Sequence, residues 1–132
     1  MDNRRLLFNI MALCAIIVSS SCSHKSSDRL VGNDRDSHGC MASAGYTWSE
    51  ARKDCVRVWE VGERLVNGDE NVFVVFSKDS ARAEVFLAGG GRVMCKKKNN
   101  AEEWNTNKQD VSVSLSEGEL TVRVEGVTFT KQ

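Results

Sequence analysis

The 132 residues suffice for one domain with one core, and 41% hydrophobic with 27% charged residues is the balance of an ordinary globular chain. Eighteen Lys and Arg match eighteen Asp and Glu, so the formal net charge is zero. That excludes the broad basic field nucleic acid requires; the one dense basic run, Lys96-Lys97-Lys98, is short, and no nucleic-acid partner is expected.

Residues 1–21 read as a signal peptide. Arg4 and Arg5 give a positive start, and Leu6 through Val18 is apolar except for Asn9. That run falls short of the ~20 apolar residues that span a bilayer, but it fits a secretory apolar region. Ser19, Ser20 and Ser21 then lead to Cys22. The polar tract Ser23 to Ser37, rich in Ser, Asp and Arg, predicts a flexible tether over 22–37 and leaves 38–132 as a single β-rich domain.

Small residues ending on a cysteine resemble the lipobox of bacterial lipoproteins. Ser20 and Ser21 occupy the small positions, while Ser19 stands where that family prefers an aliphatic residue. The resemblance implies cleavage before Cys22, a diacylglyceryl group on its sulfur, and a membrane anchor. Two acyl chains hold stably where one holds only marginally. Ordinary cleavage nearby, leaving a soluble secreted protein, is the alternative. Ser23 follows Cys22 in place of the Asp that retains enterobacterial lipoproteins in the inner membrane. The implied address is therefore the outer membrane of the cell envelope.

Five cysteines sort by position. Cys14 lies in the discarded segment and Cys22 is the lipidation site, which leaves Cys40, Cys55 and Cys95. An exported protein meets an oxidising compartment, and Cys40 with Cys55 border one compact segment, so these two are the expected disulfide. Closing a loop of about 15 residues stabilises by ~3 kcal/mol in the chain-entropy model. Cys95 is expected as a buried strand thiol, with pairing to one of the other two as the alternative. A metal site would have to recruit His38, Cys40, Cys55 and Cys95. Their spacing matches no zinc pattern, so neither metal nor cofactor is expected.

Residues 38–60 hold the one distinctive motif. Gly39 and Gly45 mark bends, Tyr46 and Trp48 supply aromatic bulk, and Thr47 with Glu50 has the form of a capping box. This predicts a helical turn over Trp48 to Lys53, followed by a strand in which Val56 and Val58 face away from Arg57 and Trp59. Gly39-Cys40, Ser43-Ala44-Gly45-Tyr46, Trp48-Ser49, Cys55, Arg57 and Glu60 resemble a motif of small bacterial envelope lipoproteins to which no activity attaches. The structural reading is a disulfide-stapled loop whose aromatics plug one end of a barrel. The alternative is a recognition loop presenting Tyr46 and Trp48 to a partner.

From residue 61 the chain alternates short strands with turns. Arg64 to Val66 ends at Asn67-Gly68-Asp69, and Asn71 to Phe76 has buried-strand composition. Ala83 to Leu87 and Arg92 to Lys97 flank the turn Gly89-Gly90-Gly91. Trp104 is followed by a polar stretch, Asn105 to Asp110. Val111, Val113 and Leu115 then alternate with serines up to the turn Glu117-Gly118, and Leu120, Val122 and Val124 resume the alternation. Val127 to Thr130 closes the chain after Gly126. The expected fold is all-β: a small antiparallel barrel or sandwich of seven or eight strands with a disulfide-stapled N-terminal loop.

His24 and His38 are the sole histidines, and no nucleophile elbow, phosphate loop or zincin motif occurs, so no catalytic residue is predicted. The anchor, size, disulfide and succession of strands ending in a Trp104-to-Lys108 loop loosely resemble the membrane-bound inhibitors of c-type lysozyme. The family's Ser-Gly-x-x-Tyr and Trp-x-Lys-Gly segments are not reproduced, so no inhibitory residue carries over. The resemblance implies a non-catalytic binding module with a protein partner. A cationic partner would need an acidic edge, for which Glu102-Glu103-Trp104 is the candidate. An accessory subunit of an envelope complex is the competing expectation.

Overall fold

The computed structural model describes residues 34–132; the expected signal peptide, Cys22 and the tether up to residue 33 lie outside the described residues. Alternation of apolar and polar side chains sets the architecture. Eight strands carry it: β3 (Glu63–Asn67), β4 (Glu70–Phe76), β5 (Arg82–Phe86), β6 (Arg92–Lys97), β7 (Glu103–Asn105), β8 (Val111–Ser116), β9 (Glu119–Val124) and β10 (Val127–Thr130). Each pairs antiparallel with its sequence neighbour, and β10 meets β3 where Thr130 lies opposite Val66, closing a barrel. Before it come a 3-10 turn (Ala42–Ala44), a separate hairpin of β1 (Thr47–Ser49) and β2 (Asp54–Val56), and an α-helical turn, α1 (Val58–Val61).

Eight strands enclose a space that side chains alone can fill. Every second residue supplies the filling: Val72 and Val74 from β4, Val85 from β5, Cys95 from β6, Val113 from β8 and Val122 from β9, all at most 1% exposed. Trp104 is the largest member. Its ring meets Phe76 edge-on at 4.9 Å, and its indole N–H donates to the Ser80 carbonyl at 2.8 Å. The β8–β9 hairpin closes on Glu117 and Gly118, both at positive φ (53° and 81°), as a type I′ turn requires. Gly126 plays the same part with Glu125 between β9 and β10.

Four expectations need correction. The helical turn over Trp48 to Lys53 is instead the β1–β2 hairpin. Ser49 organises its four-residue loop: its hydroxyl accepts the Arg52 amide at 3.1 Å and its carbonyl accepts the Lys53 amide at 2.8 Å. Lys53 then takes a positive φ of 55°, which a right-handed helix does not allow. Secondly, the strand from Cys55 stops at Val56. The Arg57 side chain donates to the Ala44 carbonyl at 2.9 Å, and the Arg57 carbonyl accepts the amides of Glu60 and Val61, winding α1. Thirdly, Glu103–Asn105 is a barrel strand and not a loop; three residues are too few to display a period.

The fourth correction is the largest. The stapled segment lies against the outer wall of the barrel and does not plug its end. Ala83 and Val85 point into the barrel, so Glu84 between them points out, and Val75 opposite it does likewise. Both are nonetheless buried, because the hairpin and α1 cover them. At Gly62 a Cβ would stand 3.2 Å from Val75 and 2.6 Å from the Val58 carbonyl, so a side chain there would pry the cover from the wall. Residues 34–37, read as the end of the tether, fold onto the staple: Asp34 accepts both the amide and the hydroxyl of Ser43 at 2.6 Å.

Candidate functional site

The motif residues assemble into one staple. Cys40 and Cys55 form the expected disulfide, with Cα atoms 5.4 Å apart. The Arg57 guanidinium sits 4.5 Å above the Tyr46 ring, and the His38 ring stacks on Trp48 at 4.3 Å, nearly parallel. The Trp48 indole donates to Glu50 at 3.0 Å. Gly45 holds a positive φ of 83° and lies directly under Trp59, whose ring would stand 2.3 Å from an added Cβ. Trp59 otherwise faces solvent, 58% exposed. Tyr46 and Trp48, the two aromatic binding candidates, are thus half-buried and engaged with neighbours from their own segment.

One carboxylate anchors the staple to the barrel. Glu84 is 1% exposed and accepts the Ser49 hydroxyl at 2.6 Å and the amides of Glu50 and Ala51 at 3.2 Å each. Arg92 approaches it to 3.6 Å and also donates to the Trp48 carbonyl. Sequence reasoning missed Glu84, although a signal was present: a charged residue inside the otherwise apolar run Ala83 to Leu87 needs a partner if the strand is covered on both faces.

Electrostatics tightens the same segment. The side-chain hydrogen bond from Lys53, seconded by Trp48, holds the Glu50 carboxyl below its usual range. Ser43 does the same for Asp34. In the β4–β5 turn the Ser77 hydroxyl and the Ala81 amide lower Asp79.

The acidic candidate edge is differently placed. Trp104 is 1% exposed in the barrel core. Glu102 pairs with Lys97 at 2.7 Å, and Glu103 is half-buried and accepts from Asn105 at 3.2 Å. Beside these residues opens a surface groove of about 850 Å³ between β6 and the β7–β8 connection. Arg92, Lys96, Lys97, Lys98 and Lys108 line it, together with amide side chains such as Asn105 and Asn107, and among the described residues no carboxylate does. A smaller cleft of about 330 Å³ lies at the β9–β10 turn, beside Leu87 and Phe129.

Cys95 is a free, fully buried thiol, and burial pushes it up to about 11. It is inert packing material with a weak contact to the Val111 carbonyl at 3.8 Å. His38, Cys40, Cys55 and Cys95 do not converge; among the described residues no group of three His, Cys, Asp or Glu side chains is placed to hold a metal ion. The chain matches no protein-family model, no curated protein and no solved structure.

Proposed function

We propose that the protein is a lipid-anchored, non-catalytic binding module of the bacterial cell envelope, tethered through Cys22 to the outer membrane and engaging a protein partner through the exterior of its barrel. The observation that supports this reading is the filled interior. Apolar side chains from all eight strands occupy the barrel, so the surface offered to another molecule is its outer wall and loops. The polar groups of the motif are engaged in holding the staple, which agrees with a scaffold role for that segment.

Inhibition of a lysozyme-like hydrolase is the narrower form of the proposal, and it draws less support. A cationic target needs free acidic groups, whereas Glu102 is paired and the adjoining groove is basic. The same groove favours an accessory subunit that meets an acidic partner.

Purification of the full chain from bacterial membranes in mild detergent, after metabolic palmitate labelling, tests the proposal. The expected result is a palmitoylated product with a stoichiometric protein partner. An unlabelled cytosolic product that retains Met1, or a labelled product that always purifies alone and leaves lysozyme rates unchanged at micromolar concentration, contradicts it.

A further inference from the structure

The wall of the barrel has a gap. On its β5 side β6 is fully laddered: the Lys97 amide donates to the Ala81 carbonyl and the Leu87 amide to the Gly91 carbonyl, so the odd-numbered residues of β6 direct their backbone groups toward β5. The even-numbered residues therefore direct theirs the other way, toward β7. There the ladder is short. The Lys98 amide reaches the Glu103 carbonyl and Lys96 lies opposite Asn105, and then the chain peels away into the β7–β8 connection. Arg92 and Met94 come next in the ladder, and among the described residues their N–H and C=O groups on that side have no hydrogen-bond partner. They open onto the 850 Å³ groove.

Charge marks the same place. Of the five cations lining the groove, Arg92 is committed to Glu84 and Trp48, and Lys97 to Glu102. Lys96, Lys98 and Lys108 are exposed and form no ion pair among the described residues. We propose that this edge docks an extended acidic segment of a partner protein, which adds as a strand beside Arg92 and Met94 while its carboxylates meet Lys96, Lys98 and Lys108.

The backbone groups select the class of ligand. Alternating N–H and C=O groups at strand spacing are complemented by another peptide backbone, the basis of strand addition. A polyanionic glycan would use the charges alone. Lysines on a free edge also repel a like-charged strand, so a second copy of this chain presenting the same edge is disfavoured and an acidic strand is admitted. The inference rests on the binding-module reading and deepens it by naming the chemistry of the partner.

Fluorescence anisotropy with the full chain and a labelled octapeptide alternating glutamate with valine tests it. Binding is expected, weakening with added salt. N-methylation of alternate peptide amides, which keeps the charge but blocks the ladder, is expected to lower affinity about tenfold or more, the scale of a lost pair of hydrogen bonds. The triple variant Lys96→Glu, Lys98→Glu, Lys108→Glu is expected to lose affinity about as much with an unchanged melting temperature, because the three side chains are exposed. Equal affinity for the N-methylated peptide, or tighter binding of oligogalacturonate than of the peptide, overturns the inference, and neither comparison depends on the variant folding. If no peptide binds while a protein still co-purifies in detergent, the edge inference falls and the module reading stands.

Discussion

Glu84→Ala is the most revealing single substitution, because one buried carboxylate joins the staple to the barrel. Removing it leaves the Ser49 hydroxyl and the Glu50 and Ala51 amides without their acceptor, and Arg92 without its anion. Hydrogen bonds to a charged group are each worth about 1.5–3 kcal/mol but do not sum, since the freed donors share one site. Arg92 keeps access to solvent, so the expected destabilisation, about 2–4 kcal/mol, is that of the orphaned hydroxyl and amides. Glu84→Leu keeps the volume and orphans the same donors, so it should fall in the same range. Ser49→Ala removes one donor of three and should cost about 1–2 kcal/mol. Urea unfolding of the three variants and of the Ser49→Ala/Glu84→Ala pair measures both the loss and the coupling. A loss below about 1 kcal/mol for Glu84→Ala, or strict additivity in the double variant, refutes the assignment of Glu84 as the anchor.

Reduction of Cys40–Cys55, or Cys55→Ser, should cost about 3 kcal/mol for its 15-residue separation, measured by urea unfolding with and without reductant. Trp104→Ala should cost about 3–5 kcal/mol as a core truncation, and Trp104→Phe about 1–2 kcal/mol through the lost bond to Ser80; a Trp104→Phe variant as stable as the parent would mean the indole N–H contributes nothing. Asp34 and Glu50 are both held below their ordinary values, so their stabilisation is complete above those values and is lost as pH falls through the lowered ones. The near-ultraviolet signal of Trp48 should therefore weaken on acidification below the ordinary carboxylate range, and a signal flat down to roughly pH 2 contradicts this. Cys95, raised from 9.0 to about 11, should resist alkylation in the native state and destabilise the fold only as pH rises across that interval, which base titration of unfolding detects.

The barrel was legible wherever alternation ran for five residues or more. Val111 to Leu115 and Leu120 to Val124 announce two strands and their turn, and the edges predicted for β6, Arg92 and Lys97, are those observed. Legibility failed where long-range partners override local pattern. Thr47 and Glu50 have the spacing of a helix cap, but Ser49 is drawn to a carboxylate 35 residues away, and a hairpin forms instead. Trp104 sits among polar neighbours and looks like a loop aromatic until the ring of strands closes around it. The docking of the staple on the outer wall had one clue, Glu84 inside an apolar run. The gap beside β6 had none, because an absent ladder partner is a property of the closed barrel and not of any segment.

Residue-resolved amide hydrogen exchange tests the central claim, a barrel sealed by a docked staple on one wall and left open at the β6 edge. The amide of Ala51, bonded to Glu84, should exchange as slowly as the barrel core. The amides of Arg92 and Met94 should exchange orders of magnitude faster than that of Cys95 between them in the same strand, and slow when the acidic peptide is added. Met94 protected as strongly as Cys95 in the free protein, with Ala51 unprotected, would contradict both halves of the account.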